Sequence, residues 1–297
     1  MTRQMENTLH IDEVHNKIAE LEYLPAPSPI VAKLLASITE KNTTFSDISS
    51  IIESDAAVTS QLLKIANSAY YGFRRTIEDL ERAVMIIGIK EVRNLCLAIC
   101  LANQFKPNLL PEGFALYTFW THNLMTSFCC RELARDYAWI QEDEIYLMGL
   151  LHDLGRLATA ATMPDKFNSI VLLSRKREIP ISKAEEISGL PHTKVGGWLA
   201  TKWGFSEKLK AALKYHHDPS SSARYSRECS VVQTGAYIAR VLELEGKRGE
   251  VDLPDSKILT LAGVSFEELD SLTSRAEKLQ EEVSQIASVL VGNNRSR

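Results

Sequence analysis

The chain has 297 residues, 45% of them hydrophobic and 24% charged, with a formal net charge of −4. These values suit a globular chain with ample material for a core and argue against a broad nucleic-acid-binding surface. The first ten residues, MTRQMENTLH, are too polar for a signal peptide, and apolar runs such as LCLAICLA (95–102) are far too short to span a bilayer, so no membrane association is expected. Five cysteines without a CxxC pair fit a reduced, cytoplasmic compartment better than a disulfide framework.

Helical periodicity runs through nearly the whole chain, and no alternating β-pattern survives beside it. The expected class is all-α, a multi-helix bundle. After a polar tail (1–17), the segment SDAAVTSQLLKIANSAYYGF places Val58, Leu62, Leu63 and Ile65 on one apolar face. Asn67, Ser68, Tyr70 and Tyr71 gather at its end, where they either cap the helix or form a contact surface. Arg74 and Arg75 follow as anion contacts or as solvated loop residues. In IEDLERAVMIIGI, the residues Ile77, Leu80, Val84 and Ile87 recur at helical spacing, Thr76 with Asp79 resembles a capping box, and Gly88 reads as a stop. Arg93 and Asn94 in the next helix (90–105) are expected to brace the domain junction.

KPNLLPEG (106–113) separates an N-terminal helical part (18–106) from a second one (107–250), with helices expected near 113–138, 142–161, 164–177, 191–203, 206–217 and 228–245. The segments 218–228 and 245–256 read as surface loops. In the remaining part (251–297), Leu269, Leu272, Ala276, Leu279, Val283, Ile286 and Leu290 alternate three- and four-residue steps. That seam packs either on the chain's own bundle or on a partner helix, in which case residues 269–290 would support self-association.

Seven histidines are present, and His10 and His15 lie in the tail. The other five follow the boundary on separate expected helices or at their ends: His122 in WTHNLM, His152 in LLHDLG beside Asp153, His192 in LPHTKVG, and His216–His217 in KYHHD. Imidazoles and a carboxylate projecting from different helices into one cavity make a ligand set for iron, manganese or zinc. Each could instead be an isolated histidine satisfied by a hydrogen bond.

The order H…HD…H…HH resembles the HD superfamily of helical metal-dependent phosphohydrolases, with GLLHDLGRL as the signature helix. The resemblance implies one or two divalent ions held by His122, His152, Asp153, His192, His216 and His217, with Asp153 essential to any catalysis and Arg156 offered to a phosphate. Two departures matter. VVQTGAYIAR (231–240) has Gly235 and Ala236 where the family has a small residue and a late Asp, and no carboxylate lies between Glu228 and Glu243. HHDPSSSARY also lacks the GYP tripeptide of the cyclic-di-GMP phosphodiesterase branch. The N-terminal words LPAPSPIVAKLLASI (with Leu24–Pro25), IIESDAAVTSQLLKIANSAYYG and AVMIIGIKEVRNL resemble the HDOD domain, a regulatory relative of these enzymes. That likeness implies a bacterial signalling module working beside other signalling proteins, its metal pocket degenerate and without catalysis. A phosphohydrolase acting on a nucleotide or another phosphate ester is the alternative.

Overall fold

The structure is a computed structural model that describes residues 26–292 apart from 40–43, 69–70, 72–74, 106, 136–139 and 245–252. His10, His15, Leu24, Pro25, Tyr70, Gly72 and Arg74 therefore lie outside the described residues. Those described form sixteen α-helices and no strand, so the chain is all-α as expected.

The first five are α1 (Pro29–Thr39), α2 (Phe45–Glu53), α3 (Ala56–Ala66), α4 (Leu80–Ile87) and α5 (Ile89–Gln104). Side-chain caps define several starts: Thr44 and Asp47 form a capping box on α2, and Asp55 accepts from the Ala57 and Val58 amides of α3. Helix α4 begins later than the sequence suggested. Its cap is Asp79, which accepts from the Arg82 amide, and Thr76 stays outside. The reason lies in Asn67. Its side-chain amide accepts from the Ile77 amide (2.7 Å) and donates to the Ile77 carbonyl (2.8 Å), holding Ile77 in the loop while its side chain is buried. Asn67 is thus part of a structural junction. Gly88, at φ +86°, ends α4 and starts α5 in one turn.

A short 3-10 turn, Pro107–Leu109, leads into α6 (Leu116–Ala134), α7 (Glu142–Leu151), α8 (Leu154–Thr162), α9 (Pro164–Arg177), α10 (Ile181–Ile187), α11 (His192–Lys202), α12 (Glu207–Tyr215) and α13 (Ser226–Glu243). Helix α6 is the spine, flanked by α7 and α13. The helix expected over 142–161 breaks at His152–Asp153 into α7 and α8. Three C-terminal helices complete the fold: α14 (Ser256–Ala262), α15 (Phe266–Glu277) and α16 (Gln280–Val291). The apolar seam breaks between α15 and α16, and Leu269, Leu272, Ala276, Val283, Ile286 and Leu290 are buried in the chain's own core.

One hydrophobic cluster runs from Val31 to Leu290, so the two parts share a core. Helix α16 packs on α3, α5 and α6 at once. At the junction Arg131 of α6 donates to Glu91 of α5 (2.8 Å), which also accepts from the Tyr71 hydroxyl (3.1 Å). Glu91 is thus one brace, and Lys90, paired with Asp143 of α7, is another. Arg93 donates to the Ser37 carbonyl of α1 and lies in the field of Asp143 on α7, across the junction, and Asn94 is buried.

Candidate metal centre

Two close helix contacts bring the polar residues together. A Cβ on Gly155 would lie 2.0 Å from the His192 carbonyl oxygen, so only glycine lets α8 press against the start of α11. A Cβ on Gly235 would meet Cys130 Sγ at 2.8 Å and the Thr126 carbonyl at 3.1 Å, so α13 approaches α6 through this notch. The small residue read at Gly235 is thus a packing requirement.

His152 and Asp153 occupy the break between α7 and α8, His152 ending the one helix and Asp153 preceding the other. His122 comes from the second turn of α6, His192 from the first residue of α11, and His216–His217 from the end of α12. All six expected residues fall in two groups that share Asp153. Asp153, His192, His216 and His217 bring one donor atom each within 4.8 Å of one another, and His122, His152 and Asp153 do the same. His152, Asp153, His192 and His216 are buried, His122 is half-buried and His217 is exposed.

The hydrogen bonds orient the imidazoles. With Nδ1 protonated, His152 donates to the Gly149 carbonyl, His216 to the Ala212 carbonyl (2.8 Å each) and His122 to Glu243 (2.7 Å). His192 Nδ1 bonds to Glu185. Such partners fix the tautomer and leave Nε2 as the free ligand atom. Around Asp153 Oδ1, the Nε2 atoms of His192, His216 and His152 lie at 3.1, 3.6 and 3.7 Å. His192 and His216 Nε2 are 3.2 Å apart.

Electrostatics follow from this crowding. Burial pushes His152 well below, and His216 below, the ordinary imidazole range, which keeps them neutral. Burial alone would raise the Asp153 carboxyl, but Arg156, then His152 and His192, hold it well below the carboxylate range. Glu185 is likewise opposed by burial and held down at about 2 by His192 and Arg156. For His192, burial is outweighed by Glu185 and Asp153, so its pKa rises and a proton competes with any ion there.

Arg156 is paired within the protein. Its guanidinium turns inward: Nη1 donates to Asp153 Oδ2, Nε donates to Glu185 Oε1 (2.9 Å), and Nη2 sits 3.1 Å from His192 Nδ1. It is engaged with the protein's own carboxylates. Two acidic residues had escaped notice as site members. Glu185 sits in a short polar helix whose sequence, ISKAEEI, marks neither of its glutamates as buried. Glu243 lies two turns beyond Ala236 on α13 and orients His122; the late-Asp position itself is the methyl group of Ala236.

These residues fit a divalent metal. His192 Nε2 and His216 Nε2 face each other at 3.2 Å beside Asp153 Oδ1, a place filled either by the proton that His192 favours or by a metal ion. The three distances among Asp153 Oδ1, His192 Nε2 and His216 Nε2 are 3.1, 3.6 and 3.2 Å. The edge of a tetrahedron with metal bonds of about 2.0–2.1 Å is about 3.3 Å.

Comparison with known proteins agrees with this architecture. An uncharacterized protein of Treponema pallidum (strain Nichols) is 26% identical over 247 residues, covering 82% of this chain and 46% of its own length. The chain thus spans about half of that relative. An HDOD domain protein of unknown function from Geobacter sulfurreducens superposes with a TM-score of 0.74 at 20% identity, over 93% of this chain and 98% of its own. A provisionally named phosphohydrolase from Shewanella amazonensis SB2B gives 0.74 at 22% identity, over 92% and 97%. A provisionally named signal transduction protein from Marinobacter aquaeolei VT8 gives 0.78 at 19% identity, over 90% and 60%. At these identities the likeness establishes the fold. The HDOD domain model matches residues 24–219, about two thirds of the sequence, and the chain belongs to the HDOD domain family.

Proposed function

We propose that this chain is a bacterial, cytoplasmic signalling module that acts by binding other signalling proteins and holds a divalent metal without hydrolysing a substrate. The metal is iron, manganese or zinc, the ions suited to imidazole and carboxylate donors. The observation that carries the reading is the pairing of a well-formed ligand set with the loss of two groups that phosphate chemistry needs. Ala236 supplies no carboxylate, and Arg156 is tied to Asp153 and Glu185. When bound, such an ion lowers the pKa of coordinated water toward neutrality. The protein's own part is to hold it: Glu185, Glu243 and the carbonyls of Gly149 and Ala212 orient the imidazoles, and Arg156 neutralises buried carboxylates.

Among the described residues no helix is long and apolar enough to cross a membrane, and the five cysteines are free and buried, in keeping with a reducing compartment. A metal-dependent phosphohydrolase acting on a nucleotide or another phosphate ester is the second reading. It is favoured by the two donor groups that share Asp153 and by the half-exposed His122. The test is metal analysis of the purified chain, followed by a phosphatase and cyclic-dinucleotide screen with iron or manganese restored. Metal binding with background turnover is expected. Robust turnover that disappears in Asp153→Ala, with the fold intact, would overturn the regulatory reading.

A further inference from the structure

We infer that Arg156 is a built-in cation in the place of a second metal ion, so that the pocket takes one ion and not two. This deepens the metal-binding reading and rests on it.

The two donor groups meet at a single carboxylate, that of Asp153. A carboxylate shared by two ions normally gives one oxygen to each. Here the two oxygens have different occupations. Oδ1 faces the Nε2 atoms of His192, His216 and His152 at 3.1–3.7 Å. Oδ2 accepts from Arg156 Nη1. An ion between His122 and His152 would need a carboxylate oxygen of its own, and Arg156 holds the one that remains. The guanidinium cannot readily swing aside, because Nε is bonded to the buried Glu185 at 2.9 Å. Glu185 in turn is fixed by the imidazole and the backbone amide of His192.

Charge leads to the same stoichiometry. Asp153 and Glu185 carry two negative charges and Arg156 one positive, while Glu243 is shared between His122 and Arg240. One dication brings the Asp153–Glu185–Arg156 group to +1, and two would bring it to +3 in a largely buried pocket, where unbalanced charge is costly. The side chain at Ala236 adds nothing to offset the second ion. The favoured position is the face formed by Asp153 Oδ1, His192 Nε2 and His216 Nε2.

The experiment counts ions. The stripped full chain is saturated with manganese, and bound metal per chain is read by elemental analysis and by electron paramagnetic resonance. One ion with the spectrum of an isolated Mn(II) is expected. Two ions, or an exchange-coupled pair, overturn the inference while leaving the metal reading intact; no ion at all sinks the metal reading itself. Arg156→Gln should raise the count from one to two, and an unchanged count of one would show that Arg156 does not set the limit. Should that variant fail to fold, Arg156→Met, which removes the cation but keeps the apolar stem and both carboxylates, is read the same way.

Discussion

His192 and His216, from helices α11 and α12, point their Nε2 atoms at each other across 3.2 Å, and each has its Nδ1 at a protein acceptor. A metal ion held by both, in place of the proton that His192 favours, binds the folded chain and not the unfolded one, so metal binding should stabilise the fold. At a ligand concentration of 100 times Kd the gain is about 2.7 kcal/mol. For a chain of this size that is a rise in Tm on the order of 5 °C. Thermal unfolding of stripped and manganese-loaded protein checks this, and His216→Ala should abolish the shift.

Glu185 is the acid that balances Arg156 and orients His192. Truncating it leaves a buried guanidinium short of a partner, and breaking such pairs costs about 3–5 kcal/mol. Glu185→Ala should therefore lower the urea midpoint strongly, and Glu185→Gln, which keeps an acceptor, should do so less. Both should weaken metal binding, measured by calorimetry.

The same residue sets an acid limit. Its carboxyl is held at about 2 in the fold, below the ordinary value of 4.5. A depressed folded pKa means that the stabilisation is complete above the unfolded value and is lost as pH falls from about 4.5 toward 2. Stability measured across that window should decline in the native chain, with a shallower slope in Glu185→Gln.

Gly155→Ala should be among the most damaging single changes. The added Cβ would lie 2.0 Å from the His192 carbonyl oxygen and 2.5 Å from the Gly196 amide, both backbone atoms that cannot rotate away. Helix α8 must then move off α11, at a cost of about 1–3 kcal/mol or more, and Asp153 moves with it. The expected result is reduced soluble yield together with a loss of metal affinity larger than the loss of helicity by circular dichroism.

Asn67→Ala tests the junction between α3 and α4. The substitution removes both hydrogen bonds to Ile77 and leaves that buried backbone unpaired, at about 1–3 kcal/mol. Hydrogen exchange should rise in residues 75–79 while the amides of α6 to α8 stay protected. Equal loosening throughout would show that Asn67 supports the whole core.

The helices and the histidine cluster were legible because each depends on short-range signals: apolar spacing, and polar residues set in apolar surroundings such as LLHDLG. What escaped depends on long-range contact. The break at His152–Asp153 has no glycine or proline at the point of fracture. It comes with the approach of α11 to Gly155, which lies 37 residues from His192 in sequence. Glu185 is buried by Arg156 and His192, and neither neighbour is signalled in ISKAEEI. Thr76 with Asp79 resembled a capping box, but Asn67, ten residues before Ile77, holds Ile77 in the loop and leaves Asp79 as the cap. Arg156 looked available for an anion because sequence spacing gives no account of which carboxylates lie opposite.

Helix α16 carries a consequence for how the chain is made. Gln61 of α3 donates to the Val289 carbonyl at 3.3 Å, across 228 positions of sequence, and accepts from Asn103 of α5 at 2.9 Å. The first five helices emerge well before α16, yet part of their inner surface is covered by that later segment. Until then that apolar surface stands open, a state in which a nascent chain is prone to aggregate and to recruit chaperones. Closure of so long a loop also favours slow folding.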